Sequence, residues 1–384
     1  MRGVTDARPV VIVGAGPAGL STALHLLQRA PHLRIVVLER AHFPRDKTCA
    51  GAIAARAFPV LEALGFDLSS VPATRIDRFV VELAGRRIEA HEPDCARIVR
   101  RLELDHALAK LAVSRGIELR EQTHVTGLAR SRDGLRVEIR DGDPIAARCV
   151  IGADGIAGTM RRALELPRAT MHAQAVEVDT ARVRRDEPVD TARFVFDPTL
   201  RGYRWDFPTP LSGTVMMSRG VYQLCDDDAV HQPQTTLRAH LEERGLAWSS
   251  PRQLAERGFV PHAPASSPGV LLVGEAAGID FPTGEGIAQA LLYGAIAAPY
   301  LADAIDRGDL RFRDWPAAIL AHPEGRFLQR RYGVGKLLFG RGRPWIEGAI
   351  ARAPSSLHLL LRRFAGRPIS RREKLGAALQ LIAG

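Results

Sequence analysis

Three glycines, Gly14, Gly16 and Gly19, follow directly on the β-branched run VVIV at residues 10–13 and open an apolar periodic segment over residues 18–28. That order reads as strand, tight turn and helix. Glycines there let the strand turn sharply and let the backbone approach a pyrophosphate, whose charge then sits on the N–H groups at the helix start. A second apolar run, residues 35–38, ends in Glu39, twenty residues after Gly19, where a carboxylate can accept both hydroxyls of a ribose. These residues predict an adenine dinucleotide. On their own they leave FAD and NAD both open.

Farther along, a buried-strand run at 269–273 (GVLLV) is followed by an acid, Glu275, and by the glycine-rich turn Gly284–Gly286 before another apolar stretch. An acid at a strand end can hold ribityl hydroxyls. Backbone N–H groups aimed by such a turn can stabilise the negative charge that builds on a reduced flavin, as helix N-termini do for other anions. At these positions the chain resembles the flavoprotein superfamily that contains aromatic hydroxylases of the p-hydroxybenzoate hydroxylase type and geranylgeranyl reductases. Arg101 and Asp105, in RLELD, match that superfamily's helix start. Residues 149–161 (CVIGADGIAGTMR) match its strand-end segment, with Asp154, Gly155 and Arg161 in place and Gly158 where Ser is usual. Residues 274–287 (GEAAGIDFPTGEGI) match its flavin-ribityl segment, with Pro282, Gly284 and Gly286 in register. The superfamily has Asp at the place of Glu275, so the longer acid must shift to make the same bond. The resemblance decides for FAD.

Two further segments point within the superfamily. Residues 44–51 (PRDKTCAG) resemble the Lys-x-Cys-x-Gly loop of geranylgeranyl reductases, and residues 202–208 (GYRWDFP) resemble their Tyr-x-Trp-x-Phe-Pro strand; flavin halogenases differ at both. The resemblance covers residues 8–305. It implies FAD contacts from Gly14, Gly16, Ala18, Gly19, Glu39, Arg40, Arg45, Cys49, Ala50, Gly51, Arg101, Val125, Asp154, Gly155, Gly274, Glu275, Pro282, Gly284, Gly286 and Ile287, with Cys49, Tyr203 and Trp205 as catalytic residues. For Cys49 a thiol that positions or protonates substrate stands beside a small buried hydrophobe. Arg45 is expected on FAD phosphate or substrate, and Lys47 as a solvated loop charge. Tyr203, Trp205 and Phe207 alternate on a strand and share one face, either the wall of an apolar tunnel or ordinary sheet core. Met216 and Met217 could line the same space.

The elements that must position these groups follow from the patterning. The fold class is α/β: a Rossmann-type FAD-binding domain, an inserted and largely antiparallel β-sheet substrate domain, and a helical C-terminal segment. The expected division is 1–76, 96–165 and 263–305 for FAD, 77–95 and 166–262 for substrate, and 306–384 for the tail. Alternating runs at 78–91 and 117–150 predict antiparallel hairpins. The apolar stretch 286–301, broken by Gln289 and Pro299, is too short to span a bilayer and predicts a buried helix.

Four dispersed cysteines without a CxxC pair, and twelve histidines without HExxH, give no sign of a disulfide framework or a protein metal site. The polar start of the chain leaves no room for a secretory signal, so a cytoplasmic protein is expected. The net charge of +10 is concentrated: residues 326–384 hold thirteen Lys/Arg against two acids, a net +11, and the rest of the chain carries −1. No recognition motif with stacking aromatics accompanies that basicity, which sets nucleic-acid binding aside. Three readings of the tail remain: a peripheral contact with the anionic inner face of a membrane, a contact with an acidic protein, or the solvated outside of packed helices. The function implied is FAD-dependent redox chemistry on a hydrophobic small molecule or lipid, foremost saturation of prenyl double bonds. NAD(P)H would be a transient electron donor, because only one GxGxxG is present. The alternative is a monooxygenase that hydroxylates a natural product or a peptide side chain.

Overall fold

The computed structural model describes residues 8–131, 134–167, 171–225, 232–280, 282–340 and 342–373. Strand Val10–Val13 lies at the centre of a six-stranded sheet, parallel to Ile35–Leu38 on one side and to Cys149–Gly152 on the other. Glu118–Arg120 extends it beyond Ile35–Leu38, Val270–Leu272 extends it beyond Cys149–Gly152, and Ser266–Ser267 closes that edge antiparallel. Every residue of the three central strands is buried, as expected of parallel strands covered by helices on both faces. Two of the covering helices, Pro17–Arg29 and Ile287–Asp306, cross closely enough for the Ser21 hydroxyl to donate to Leu291 O at 2.7 Å. Glycine is required at that crossing, because a Cβ on Gly294 would sit 2.2 Å from Ser21 Oγ.

An eight-stranded sheet forms the second layer, in the order Arg252–Arg257, His172–Thr180, Thr214–Cys225, Gly202–Leu211, Thr191–Val195, Ala73–Leu83, Arg86–Val99, Ala52–Ala54. Its hairpin Ala73–Leu83/Arg86–Val99 turns on Ala84 and Gly85, both at positive φ (50° and 72°), the backbone that a two-residue primed turn needs. Tyr203, Trp205 and Phe207 point to one face of the sheet. On the other face Asp206 is enclosed by Arg193, Arg219, Arg244 and His240. Room for Trp205 comes from its cross-strand partner Gly220, where a Cβ would lie 2.2 Å from the indole ring.

The hairpin reading of 117–150 is corrected. Glu118–Arg120 and Cys149–Gly152 are parallel strands of the six-stranded sheet, and only Val125–Ser131, Gly134–Ile139 and Ile145–Ala147 between them form an antiparallel sheet. The segment 77–95 lies inside longer strands that run from Ala73 to Val99. A helix, Pro233–Glu242, lies within the stretch 166–262 assigned to the largely antiparallel substrate domain, where no helix was expected. The stretch 286–301 forms the buried helix Ile287–Asp306, and among the described residues no helix is long and apolar enough to cross a membrane.

Four helices follow: Trp315–Ala321, Pro323–Leu338, Arg343–Arg352 and Pro354–Phe364. They pack against both layers. Trp315 Nε1 donates to Leu272 O in the parallel sheet, Arg343 donates to Leu200 O and Asp197 O, and the Phe364 ring meets Phe79 edge-on at 5.4 Å. Arg341, Lys374 and Leu379 of the basic tail lie outside the described residues, as does Phe281.

Candidate active site

One cavity of about 750 Å³ runs between the two layers. Its first end is built on the glycine turn. Gly14 adopts φ +105°, and a Cβ there would lie 2.4 Å from Ala153 O; a Cβ on Gly19 would lie 1.9 Å from Gly14 O. These two glycines are therefore fixed by chain packing. Gly16 differs, since the nearest atom to a Cβ would be Arg101 Nη2 at 3.6 Å. That open space at the helix N-terminus is where a pyrophosphate fits.

Glu39 ends its strand with Oε2 accepting from Ala15 N–H and Oε1 from Ala41 N–H, both at 3.1 Å. Arg45 bridges Glu39 Oε2 (3.1 Å) and Asp105 Oδ2 (3.0 Å), and Arg101 makes a bidentate pair with Asp105 at 2.7 and 2.6 Å. The arginines are thus held by carboxylates at the dinucleotide end. Asp154 Oδ2 accepts from Met160 N–H at 2.9 Å, while its buried Oδ1 has no hydrogen-bond partner, and burial raises its pKa. A polar ligand group beside Oδ1 would satisfy it. A Cβ at Gly158 would fall 2.3 Å from this carboxyl, which is why the usual Ser has no place here. Glu275 accepts from Lys47 Nζ at 3.2 Å, so Lys47 is paired across the cavity and is not merely a solvated loop charge.

All the residues expected on FAD line this cavity except Gly19 and Gly274. Gly274 is a packing position as well: its φ is +58°, and a Cβ would lie 2.5 Å from Ala18 Cβ. The open Gly16 cradle, the Glu39 carboxylate at the strand end and the unsatisfied Asp154 oxygen together fit an FAD of extended shape.

The loop from Pro282 to Gly286 forms the middle of the cavity and enters helix Ile287–Asp306 through Gly286. Tyr203 donates its hydroxyl to Thr283 O at 2.5 Å and stacks on Tyr222 at 5.2 Å. Trp205 Nε1 donates to Ser218 Oγ at 3.2 Å. Tyr203, Trp205 and Phe207 are both sheet core, at 3–5% exposure, and cavity wall. Met216 and Met217 are not part of that wall. Cys49 donates its N–H to Glu177 Oε1 at 3.1 Å, and its sulfur accepts from Gly51 N–H at 3.5 Å. Burial raises the thiol's pKa, with Arg101 opposing, so the sulfur stays protonated at neutral pH.

Sequence reasoning missed Glu256. It is buried on the cavity wall against the loop, and its Oε1 accepts from the Tyr222 hydroxyl at 3.4 Å. Gly284 brings the loop within reach, since a Cβ there would lie 3.2 Å from Glu256 Oε2. Burial first, then the carboxylates of Glu275 and Asp280, push its pKa well above the usual carboxylate range. Glu256 is therefore a carboxyl whose protonated form is favoured by its surroundings, facing the cavity. The only available signal was its position two residues after Leu254 in a strand, on the same face.

The C-terminal helices were expected, but their part in the cavity was missed. Val334, Leu338, Ile346, Ile350, Leu361 and Phe364 complete the apolar far end of the cavity. Arg331, from helix Pro323–Leu338, grips buried Asp280 with Nε at 3.0 Å and Nη2 at 2.7 Å, which ties the tail to the 282–286 loop.

A family model described as FAD binding domain matches residues 7–203. The menaquinone reductase of Mycolicibacterium smegmatis is 30% identical over 313 residues, covering 75% of each chain. The digeranylgeranylglycerophospholipid reductase of Methanothrix thermoacetophila is 29% identical, over 78% of this chain and 79% of its own. Among solved structures, the geranylgeranyl bacteriochlorophyll reductase-like protein of Thermoplasma acidophilum superposes with a TM-score of 0.70 over 96% of this chain and 95% of its own, at 21% identity.

Proposed function

The chain belongs to the FAD binding domain family and is a flavin-dependent oxidoreductase, and from that premise we propose that it reduces a carbon–carbon double bond of a long apolar substrate of prenyl type. The observation that carries this reading is the continuity of the cavity: it runs from the 282–286 loop, past the Tyr203–Trp205–Phe207 wall, to an end lined by aliphatic and aromatic side chains. Relatives that reduce prenylated molecules, by their names, share three quarters or more of their length with this chain.

Bound FAD, once reduced, would supply a hydride to one alkene carbon. Gly14, Gly16 and Glu39 hold the dinucleotide end in this reading, Asp154 and Glu275 the middle, and the backbone of Gly284 to Ile287 the flavin end. The proton for the other alkene carbon comes from Glu256 Oε, a cavity-lining carboxyl whose burial favours its protonated form, whereas burial raises the Cys49 thiol from an already weakly acidic starting point. Solvent then restores that proton. Cys49 lies against the same wall and orients the alkene. The Tyr222 hydroxyl positions the carboxyl, and the aromatic wall excludes water from the reacting atoms. NAD(P)H docks transiently as the electron source.

The test is anaerobic reduction of the purified flavoprotein, followed by incubation with menaquinone or digeranylgeranyl lipids and mass analysis of the products. A gain of two hydrogens in the prenyl chain that persists after the quinone ring is reoxidised supports the proposal. A product that forms only in air and gains one oxygen overturns it in favour of hydroxylation.

A further inference from the structure

We propose that the outer face of the three helices Pro323–Leu338, Arg343–Arg352 and Pro354–Phe364 is a docking surface for an anionic lipid bilayer, and that the mouth of the apolar cavity opens onto it. Four large apolar side chains stand in solvent there: Val334 at 52% exposure, Leu337 at 59%, Trp345 at 75% and Leu360 at 46%. Val334 and Leu360 line the cavity at the same time. The apolar interior and the apolar surface are therefore one continuous lining, and the side chains at the junction belong to both.

The charges around this patch have one sign. Arg326, Arg330, Lys336, Arg352 and Arg363 are exposed. The three acids of residues 323–373 are not: Glu324 turns in to Arg56, Glu347 to Arg343 and Glu373 to Arg362. Among the described residues of 323–373 the fully exposed charges are therefore all cations, and of the three acids Glu373 is the least buried. Exposed aliphatics and a tryptophan ringed by Lys and Arg are the chemistry of an interface between anionic headgroups and acyl chains. An acidic protein would satisfy the cations, but it would also stopper a cavity whose lining continues outward. A bilayer satisfies the cations and feeds the cavity, because an apolar substrate passes from acyl chains to cavity wall without crossing water. This route rests on the cavity holding an apolar substrate; the docking does not.

The experiment uses the full-length, oxidised FAD-bound protein without substrate, so its outcome is independent of the reaction. Sedimentation with phosphatidylcholine vesicles is compared with sedimentation when phosphatidylglycerol is included. Binding to the anionic vesicles is expected, weakening steeply as salt screens the charges. Tryptophan emission should shift to the blue on binding, and that shift should vanish in Trp345→Phe. Arg330→Gln and Lys336→Gln should each weaken binding about fivefold. Leu337→Ser should weaken it too, with unchanged FAD content showing that the fold is intact. No phosphatidylglycerol-dependent binding, binding indifferent to all four substitutions, or an emission shift that survives in Trp345→Phe would each overturn the proposal. Vesicle binding together with an oxygenated product would leave the docking surface standing and the reductase reading refuted.

Discussion

Gly16 is a glycine for a reason that the polypeptide alone does not supply. Its φ is −83° and a Cβ would have nothing nearer than 3.6 Å, so a larger residue folds there but fills the pyrophosphate cradle. Gly16→Val should therefore purify folded and colourless, and a yellow variant with full FAD occupancy would refute the assignment. Gly14→Ala is the contrast, because positive φ and the clash with Ala153 O should destabilise the fold itself. Glu256 gives a prediction in pH. Its folded pKa lies above its unfolded value, so the stability it contributes is complete below the unfolded pKa and is lost as pH rises through the folded one. Glu256→Gln should flatten that alkaline-side loss in melting temperature. It should also lower turnover by ~10²–10⁴, the usual effect of removing one positioned proton donor. A variant with the parent's turnover and pH profile would leave the carboxyl as packing. Cys49→Ser should keep FAD and lose less turnover than Glu256→Gln, while Cys225→Ser, outside the cavity, should change neither. Equal losses in Cys49→Ser and Glu256→Gln would restore the thiol as a proton donor. Of these residues Gly16 and Cys49 were legible from local motifs. Glu256 was not, because its role comes from a loop that approaches it from nearly thirty residues later in the chain.

At the scale of elements, legibility followed the source of each element's burial. The strands at 10–13 and 35–38 are buried on all sides and the helix from Ile287 over most of its length, so their sequences are apolar or nearly so and announce themselves. Glu118–Arg120 and Cys149–Gly152 were misread as hairpin strands. Both are three or four residues long, and their partners, Val36–Leu38 and Val10–Val13, lie over eighty and over one hundred residues away, respectively. Short strands carry little period, and nothing local distinguishes a parallel from an antiparallel partner. The same holds for Thr191–Val195, which joins Ala73–Leu83 in parallel inside an otherwise antiparallel sheet. Helix Pro233–Glu242 was missed for the opposite reason. PQTTLRAHLE is mostly polar and buries little beyond Pro233, Leu237, His240 and Leu241 against the outer face of the sheet. The aromatic strand was legible as alternation, but the choice between core and cavity wall was not. Trp205 and its neighbours are both, because Gly220 opens space on the opposing strand.

Over the whole molecule, the largest gap between sequence and structure is the C-terminal segment, whose basicity drew attention outward while its apolar residues also line the cavity. The attachment that makes this possible is the Arg331–Asp280 pair. Asp280 is 1% exposed and sits at the start of the loop that carries Thr283 and Gly284, so this pair joins the tail to the 282–286 loop, beside the bridge that Arg56 makes between Glu285 and Glu324. Arg331→Gln leaves that buried carboxylate without its cation, which typically costs about 3–5 kcal/mol. The damage should be more than thermal. Helix Pro323–Leu338 keeps its Glu324–Arg56–Glu285 bridge to the loop but loses the grip of Arg331, and the wall formed by Val334 and Leu338 should loosen, admitting more water and dioxygen. Arg331→Gln is therefore expected to melt earlier and, once reduced, to reoxidise in air faster than the parent in stopped-flow absorbance. The double variant Asp280→Asn/Arg331→Gln separates the two effects. Removing the stranded charge should recover much of the stability, and reoxidation should stay fast because the tie is still absent. Arg331→Gln reoxidising at the parent's rate would mean that this tie does not limit access to the cavity, and that the buried pair serves stability alone.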